Sequence, residues 1–213
     1  MTTNETLRTQ QKAGILEVAR QLFAAQGYQA TTTRQINAAF RGSEGLLYYY
    51  FRQGKREILD AVIAQGADWP LPKAWRLGAP QTPAALEQQL LAGLETWWQV
   101  MLTPAVYETI LILIRERPQL TDEQVAWCTQ RERALHDDLA NALAALPAPY
   151  VLTPRRADAT ATLIVGLYQR VVLENLLIAG QPRQAVDLFA ELQPSLHALI
   201  ANWEASDVAD QPG

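Results

Sequence analysis

The hydrophobic pattern of the first 66 residues predicts four helices. Apolar side chains recur at helical spacing between residues 11 and 26, and Gly27 supplies a stop at the end of this first helix. The polar residues 2–10 that precede it are expected to form a loose arm. The last of the four helices, at about residues 55–66, closes a small core with four apolar side chains: Ile58, Leu59, Val62 and Ile63.

The second helix is short and begins with a capping box. Thr32 can accept a hydrogen bond from the backbone of Gln35, and the Gln35 side chain can reach back to the backbone of Thr32. The helix is expected to end where the chain breaks at Arg41-Gly42. Its inward face is predicted to hold three residues at helical spacing: Ile36, Ala39 and Phe40.

The third helix, at about Glu44–Tyr50, is only two turns long. Ser43 is expected to cap it, and Leu47 and Phe51 lie four residues apart to anchor it inward. So short a helix is not stable alone, and its neighbours must hold it in place. Two short helices joined by a tight turn are typical of the helix-turn-helix, whose second helix enters the major groove of DNA.

Cations at the start of the fourth helix indicate a phosphate nearby. Lys55 and Arg56 occupy its first turn, where the helix dipole disfavours positive charge. An external anion would explain them, hydroxyl groups could add neutral phosphate contacts, and Arg8 and Lys12 could touch the DNA backbone as well. The predicted DNA-contacting residues are Thr31, Thr32, Thr33, Arg34, Arg41, Ser43, Glu44, Gly45, Leu46, Tyr48, Tyr49 and Lys55.

Beyond residue 66 the sequence first loses and then regains a helical pattern. The segment 67–83 contains four prolines and the aromatic residues Trp69 and Trp75, so we expect an ordered, non-helical connector there. After it no strand pattern occurs, and Pro194 is expected to kink or break the last helix. Helices are predicted at about residues 84–102, 105–116, 121–146, 155–180 and 184–204.

The charge is divided unevenly along the 213 residues, 49% of which are hydrophobic and sufficient for a substantial core. The net charge is −4, yet residues 1–56 carry 8 Lys or Arg against 3 Asp or Glu, which is +5, and the remainder carries −9. A basic module attached to an acidic body suits DNA contact at one end only. The alternative is that these cations are merely a solvated surface.

The sequence offers no constellation for catalysis or metal binding. Cys128 is the only cysteine, which excludes an intrachain disulfide and a cysteine zinc cluster, and His136 and His197 have no metal-ligand spacing. Neither a phosphate loop nor a nucleophile elbow occurs. The polar first residues and the lack of an apolar run near the roughly 20 residues of a membrane span favour a cytoplasmic protein. We therefore expect no enzyme, cofactor, metal or membrane partner.

The N-terminal segment resembles the TetR family of bacterial transcriptional regulators. The resemblance covers about residues 10–64 and is carried by ILEVARQLFAAQGYQATTTRQI (Ile15 to Ile36), SEGLLYYYF (Ser43 to Phe51), Lys55 and the apolar Ile58-Leu59. It implies that the second and third helices form the DNA-reading pair. It also implies that residues around Ser43 to Tyr49 contact bases and phosphates, and that Lys55 contacts a phosphate.

The turn between the two reading helices departs from the family pattern. The family usually has Ala-Gly-Val where this chain has Phe40-Arg41-Gly42, Asn37 stands where a small apolar residue is common, and one extra residue precedes Lys55. If Arg41 adopts the left-handed conformation, the strain is about 1–2 kcal/mol. Gly42 could adopt it instead, shifting the turn by one residue. The angle of the recognition helix stays open at this point.

The last two predicted helices are apolar over more than one face. Such helices either lie at the centre of a domain or also meet a partner, and in the TetR family the last two helices pair with those of a second copy. The alternative is complete burial inside a monomer core. The predicted dimer interface consists of Ile164, Leu167, Val171, Phe189, Leu192, Leu196 and Ile200.

Aromatic side chains in the C-terminal part are candidates for an effector pocket. Regulators of this family usually sense small apolar or amphipathic molecules there, and Glu95 or Glu108 would be the nearest carboxylates for a cationic one. The alternative is that these aromatics are ordinary core. The predicted pocket residues are Trp97, Trp98, Met101, Tyr107, Trp127 and Tyr168, with Cys128 nearby.

Together these features predict an all-α regulator in three parts. Residues 1–66 form a three-helix helix-turn-helix DNA-binding domain closed by the fourth helix, 67–83 a connector, and 84–213 a larger helical ligand-binding and dimerisation domain. We hypothesise a homodimeric repressor that binds a palindromic operator in double-stranded DNA and is released by a small, hydrophobic effector. The alternative is a helical small-molecule-binding or interaction protein that has lost sequence-specific DNA binding through its altered turn.

Overall fold

The regular structure of the described residues is entirely helical. The computed structural model describes residues 3–67, 74–179 and 185–206, and it confirms the predicted all-α class. A 3₁₀ turn occupies Arg117–Gln119, and a π-helical turn occupies Leu173–Ile178. The α-helices are α1 (Thr3–Gln26), α2 (Thr33–Phe40), α3 (Glu44–Tyr50), α4 (Lys55–Ala67), α5 (Pro83–Leu102), α6 (Pro104–Arg115), α7 (Asp122–Ala144), α8 (Pro154–Val172) and α9 (Ala185–Ser206).

Helix α1 begins eight residues earlier than predicted, at Thr3 instead of about residue 11. The prediction of a loose arm is therefore wrong, and contacts with α3 provide the physical reason. The hydroxyl of Tyr50 donates a 2.9 Å hydrogen bond to Oε1 of Gln11. The guanidinium of Arg8 lies 5.9 Å from the centre of the Tyr49 ring. A helix start that depends on contacts with distant residues is not visible in a local hydrophobic pattern.

The first of two compact units comprises the described residues 3–67 and 103–127. Helix α6 therefore packs with the helix-turn-helix: Ile112 is fully buried in its core, and Nε of Arg20 donates a 2.8 Å hydrogen bond to Oε2 of Glu108. Glu108 is thus already paired with a cation inside this unit. The largest fully buried side chains of the core are Ile15, Phe23, Ile36, Leu47, Phe51, Ile58, Leu59 and Ile112.

The second compact unit comprises the described residues 74–102, 128–179 and 185–206. Its main packing contact joins α5 and α9. The buried carboxylate of Glu87 lies 3.2 Å from Nδ1 of His197, which links the two helices at one edge. The contributing apolar side chains are Leu86, Leu90, Leu94 and Trp98 from α5, and Leu188, Leu192, Leu196 and Ile200 from α9.

The described part of the connector, residues 74–82, is not helical, as predicted. Its Trp75 ring lies directly on the backbone of α5, because a Cβ atom placed on Gly93 would be 2.3 Å from Cε3 of Trp75. This aromatic contact packs the connector against α5. Trp69, named in the same prediction, lies outside the described residues.

The kink or break predicted at Pro194 is not a break, because α9 continues through this residue. Within the helical residues 154–178, an 18-residue window has a mean hydropathy of 1.4, and the stretch is long enough to cross a membrane, as core helices of soluble proteins also can be. Tyr168 is buried on the inner side of α8, and the exposed Arg170 pairs with Glu174 at 2.9 Å.

The two compact units group the chain differently from the functional domains expected at 1–66, 67–83 and 84–213. The first unit includes α6 and the first turns of α7. The division by function remains a prediction. Physically, α6 is part of the core that holds the helix-turn-helix, so this motif rests on more than the N-terminal 66 residues.

Candidate nucleic-acid interface

The capping box predicted at the start of α2 is confirmed. The backbone N–H of Gln35 donates to Oγ1 of Thr32 at 3.2 Å, and the backbone N–H of Thr32 donates to Oε1 of Gln35 at 2.8 Å. Ile36 is fully buried as expected, but Ala39 is exposed, and Asn37 takes the inward position beside it. The prediction for Ala39 was wrong because the inner face of so short a helix is set by its neighbours.

The turn that follows α2 resolves the choice between Arg41 and Gly42. Arg41 adopts the left-handed conformation, with φ 59° and ψ 31°, and its N–H donates to the carbonyl of Ala38 at 3.3 Å. The N–H of Gly42 donates to the carbonyl of Asn37 at 3.1 Å. The left-handed residue therefore lies one position before the glycine, and Arg41 bears the strain of that region.

Helix α3 is presented outward by two buried anchors. Leu47 and Phe51 are buried as predicted, while the rings of Tyr48 and Tyr49 are 50% and 57% exposed. Ser43 occupies the N-cap position with extended backbone, but its side chain makes no capping hydrogen bond. The exposed start of α3 and its two tyrosines form a polar and aromatic surface of the kind that can meet base edges and phosphates.

Most of the predicted DNA-contacting residues lie at the surface of the first unit. Seven are exposed, three are half-buried, and one is fully buried. The Glu44 side chain lies outside what the structure describes. The exposed residues are Thr32, Arg34, Arg41, Ser43, Gly45, Tyr48 and Tyr49; the half-buried ones are Thr33, Leu46 and Lys55; the buried one is Thr31.

Lys55 and Thr31 both bind the loop that joins α1 to α2. Nζ of Lys55 donates to the carbonyl oxygen of Tyr28 at 2.8 Å and lies 4.3 Å from the centre of the Tyr28 ring. The hydroxyl of Thr31 donates to the carbonyl oxygen of Gly27 at 2.8 Å. These two predicted contact residues therefore also fix the loop on which α2 begins.

Two residues at the end of α6 bind this loop and the last turn of α1 before it, a contact that the sequence did not predict. Oε1 of Glu116 accepts a 2.8 Å hydrogen bond from the backbone N–H of Tyr28, and Nη1 of Arg115 donates to the carbonyl of Ala24 at 2.9 Å. The Glu116 residue is buried. Burial raises the pKa of the Tyr28 phenol above its usual range, with Asp60 and Glu116 adding to the effect of burial and Arg56 opposing it.

A polar cluster joins α4 to the chain that leads into α7. The guanidinium of Arg56 binds both carboxylate oxygens of Asp60 at 2.9–3.0 Å and donates to the carbonyl of Gln119 at 2.8 Å. Nε2 of Gln124 donates to Oδ1 of Asp60 at 3.0 Å. A groove of about 410 Å³ lies at this junction, lined by Asp60, Ile63, Ala64, Thr121, Glu123, Gln124 and Trp127.

The predicted effector residues are distributed over the two units. Trp97, Trp98, Met101 and Tyr168 lie in the second unit, whereas Tyr107 and Trp127 lie in the first. Within the second unit, the buried indole N–H groups of Trp75, Trp97 and Trp98 and the hydroxyl of Tyr168 have no hydrogen-bond partner among the residues that the structure describes. Burial raises the pKa of the Tyr168 phenol. Glu95, the other carboxylate considered for a cationic effector, is exposed.

All seven predicted dimer residues lie in the second unit. Six of them are buried in the protomer, and only Leu167 is partly exposed. The outward face of α8 and α9 is a shallow groove of about 480 Å³, to which Leu167 is the one predicted dimer residue that contributes. The buried residues are Ile164, Val171, Phe189, Leu192, Leu196 and Ile200; the groove is lined by Thr162, Leu163, Gly166, Leu167, Arg170, Ser195, Ala198 and Leu199.

The helix-turn-helix segment is similar to known regulators in sequence. Residues 15–62 match the family described as bacterial regulatory proteins, tetR family. A 58-residue stretch is 38% identical to the HTH-type transcriptional regulator QacR of Staphylococcus aureus, covering 27% of this chain and 31% of that protein. The match thus spans about a third of this relative.

Solved structures share the fold over nearly the whole chain. A tetR-family regulatory protein from Rhodococcus RHA1 superposes with a TM-score of 0.63, at 20% identity, covering 89% of this chain and 96% of its own. AibR in complex with isovaleryl coenzyme A and operator DNA superposes with a TM-score of 0.60, also at 20% identity, covering 88% and 98%. At this identity the likeness concerns the fold.

Proposed function

We propose that the protein is a DNA-binding transcriptional regulator of the TetR family that responds to a small molecule, because residues 15–62 match that family and a 58-residue stretch is 38% identical to QacR. The observation that carries the proposal is the presentation of α3. Leu47 and Phe51 anchor it, while Ser43, Tyr48 and Tyr49 face outward beside the strained turn. We further propose that it acts in the cytoplasm and without catalysis of its own.

The proposed DNA contacts divide into base readers and phosphate binders. The start of α3 enters the major groove, where Ser43, Gly45 and Tyr48 approach base edges. A Cβ at Gly45 would meet nothing within 4 Å, so its surface is open to a base or a sugar. The remaining exposed or half-buried polar residues of the predicted set contact the phosphate backbone. Thr31 supports the loop from within.

The proposed dimer uses the outward groove of α8 and α9 with a second copy of this chain as its occupant. Small residues along the groove, Gly166, Ser195 and Ala198, allow helices to approach closely, and Leu163 is 56% exposed beside them. The six buried residues of the sequence-based interface then form the protomer core under this face. Two copies related by a twofold axis would place two recognition helices on a palindromic operator.

The proposed effector is a small, largely apolar molecule with hydrogen-bond acceptors. An indole N–H can only donate, and a buried donor without a partner costs about 1–3 kcal/mol. The second unit holds three such groups, those of Trp75, Trp97 and Trp98. A carbonyl or ether oxygen on the effector would satisfy one or more of them. AibR, which has the same fold, was solved with a thioester ligand and operator DNA together.

The proposed coupling passes along α7, which belongs to both units. Its first residues lie in the first unit, where Gln124 binds Asp60 of α4, and residues from Cys128 onward lie in the second. An effector that shifts the body of α7 would displace its start and α4 with it, and thereby the spacing of the recognition helices. The regulator would then release its operator and act as a repressor.

The decisive experiment is selection from a randomised duplex pool. The full chain is incubated with the pool at moderate salt, and bound fragments are sequenced. We expect an inverted repeat whose half-sites lie about one helical turn apart. Tyr48→Ala should lose the enrichment, whereas Val151→Ala, an exposed apolar residue of the second unit, should keep it. If the wild type enriches no sequence, the alternative remains: a helical small-molecule-binding or interaction protein that has lost sequence-specific DNA binding.

The effector class can be tested with matched compounds. Ketones and the hydrocarbons of the same carbon skeleton are compared by tryptophan fluorescence and thermal shift. We expect the ketones to bind more tightly, and Trp97→Phe, which removes one N–H but keeps an aromatic ring, to reduce that preference. Equal binding of both members of each pair would contradict an effector recognised through its acceptors.

A further inference from the structure

The ring of Phe40, at the end of α2, lies between two glycines. A Cβ atom on Gly14 of α1 would be 2.6 Å from Cε2 of Phe40, and a Cβ atom on Gly42 would be 2.9 Å from Cδ1 of Phe40. Both distances are shorter than real contacts between carbon atoms allow. The ring therefore occupies the space that a side chain at either position would need.

Neither glycine is required by its own backbone conformation. The left-handed residue of the turn is Arg41. Gly14 lies within the regular helix α1, and neither Gly14 nor Gly42 has a positive φ. Glycine inside a helix destabilises it relative to alanine. The contact with Phe40 gives a reason for glycine at both positions.

We propose that Phe40 is a positioning residue, wedged between Gly14 and Gly42, that sets how the turn and the recognition helix α3 are placed against α1. The same contact reaches α3, because the Cβ position of Gly42 is 3.6 Å from Cδ2 of Leu46. Glycine at residue 42 leaves room for the ring, and the residue that adopts the left-handed conformation is Arg41. This proposal rests on the proposed DNA-binding function.

The first test is a double-mutant cycle on stability with Gly14→Ala and Phe40→Ala. In the wild-type background, Gly14→Ala should lower the urea midpoint, because the new methyl group collides with the ring. In the Phe40→Ala background the sign should reverse, since the collision is gone and alanine favours the helix. The same loss in both backgrounds would overturn the wedge. If Phe40→Ala does not fold, Phe40→Leu takes its place in the cycle.

The second test separates positioning from mere stabilisation. Affinity for the selected operator and for random duplex is measured at a temperature where circular dichroism shows every variant folded. We expect Gly14→Ala and Phe40→Ala to weaken operator binding about tenfold, the size of one mismatched base pair, with random-duplex binding unchanged. Phe40→Leu should restore part of the loss. Operator affinity equal to wild type in the folded variants would refute the positioning role.

The outcomes distinguish this inference from the proposed function. If the wild type binds no duplex specifically, the DNA-binding proposal fails and the positioning role fails with it, while the stability cycle still decides the packing of Phe40. If the wild type binds its operator and the folded variants bind equally well, the positioning role alone fails.

Discussion

Oε1 of Glu116, at the end of α6, accepts a 2.8 Å hydrogen bond from the backbone N–H of Tyr28, in the loop that leads into α2. Lys55, a predicted phosphate contact, donates to the carbonyl oxygen of the same residue at 2.8 Å. The backbone of Tyr28 is thus bound from both sides. The residue that follows α6 and the first residue of α4 therefore bind the same loop between α1 and α2.

Removing the Glu116 acceptor should destabilise the protein. Glu116→Ala leaves the buried N–H of Tyr28 without a partner, at a cost of about 1–3 kcal/mol. Glu116→Gln keeps an acceptor oxygen and should lose less than half of that. Urea denaturation of the two variants measures the difference. Equal losses would show that the hydrogen bond to Tyr28 is not the main contribution of Glu116.

Relieving the left-handed residue should stabilise the protein. Arg41→Gly removes the penalty of a Cβ atom at φ 59° and should raise the free energy of unfolding by about 1 kcal/mol. Arg41→Ala removes the same cation but retains the strain, and serves as the matched control. The difference between the free energies of unfolding of the two variants, measured by urea denaturation, gives the contribution of the backbone strain alone. Both should reduce operator affinity equally if Arg41 contributes only its charge.

A charge in the outward groove of α8 and α9 should separate the proposed dimer. In the Leu163→Glu variant, each copy would bring one carboxylate into the apolar contact across the twofold axis. The two charges would repel each other or be buried without a partner, so sedimentation should show monomers. Val151→Glu, equally exposed but outside the groove, should remain dimeric. A monomeric wild type, or a dimeric Leu163→Glu variant, would place the interface elsewhere.

His136 should contribute stability that disappears as the pH rises. Burial disfavours its charged form, but hydrogen bonds to the Asp137 side chain and the Asp158 carbonyl, with both carboxylates close by, raise its pKa above the usual value. The contribution is therefore complete below the unfolded-state pKa of about 6.5 and is lost as the pH rises through the folded-state pKa. Melting temperatures of wild type and His136→Gln should converge between pH 6 and pH 9. A constant gap would contradict this assignment.

Features determined by residues close in sequence were predictable. The capping box of Thr32 and Gln35 forms within one turn, and the anchors Leu47 and Phe51 follow from helical spacing alone. The positions of the prolines and glycines likewise allowed the helices beyond residue 83 to be placed to within a few residues.

Features that depend on distant contacts were not predictable. The early start of α1 depends on tyrosines almost forty residues away, and Glu116 lies 88 positions from Tyr28. Apolar residues of α8 and α9 could be recognised as a broad face, but pattern alone could not tell which side faces the protomer core. Ile164 and Leu196 are buried in the protomer core, while the smaller Gly166 and Ala198 lie at the surface.

We expect Lys55 to have two separable roles, which are to hold the loop between α1 and α2 and to contact a DNA phosphate. Lys55→Gln retains a donor that can reach the carbonyl of Tyr28 but loses the charge, whereas Lys55→Ala loses both. Both variants should reduce the salt dependence of operator binding by about one unit in the logarithmic slope, because one phosphate contact is lost. Only Lys55→Ala should also lower the urea midpoint. An unchanged salt slope in both variants would restrict Lys55 to holding the loop, and the phosphate contact would then have to come from another cation of the first unit.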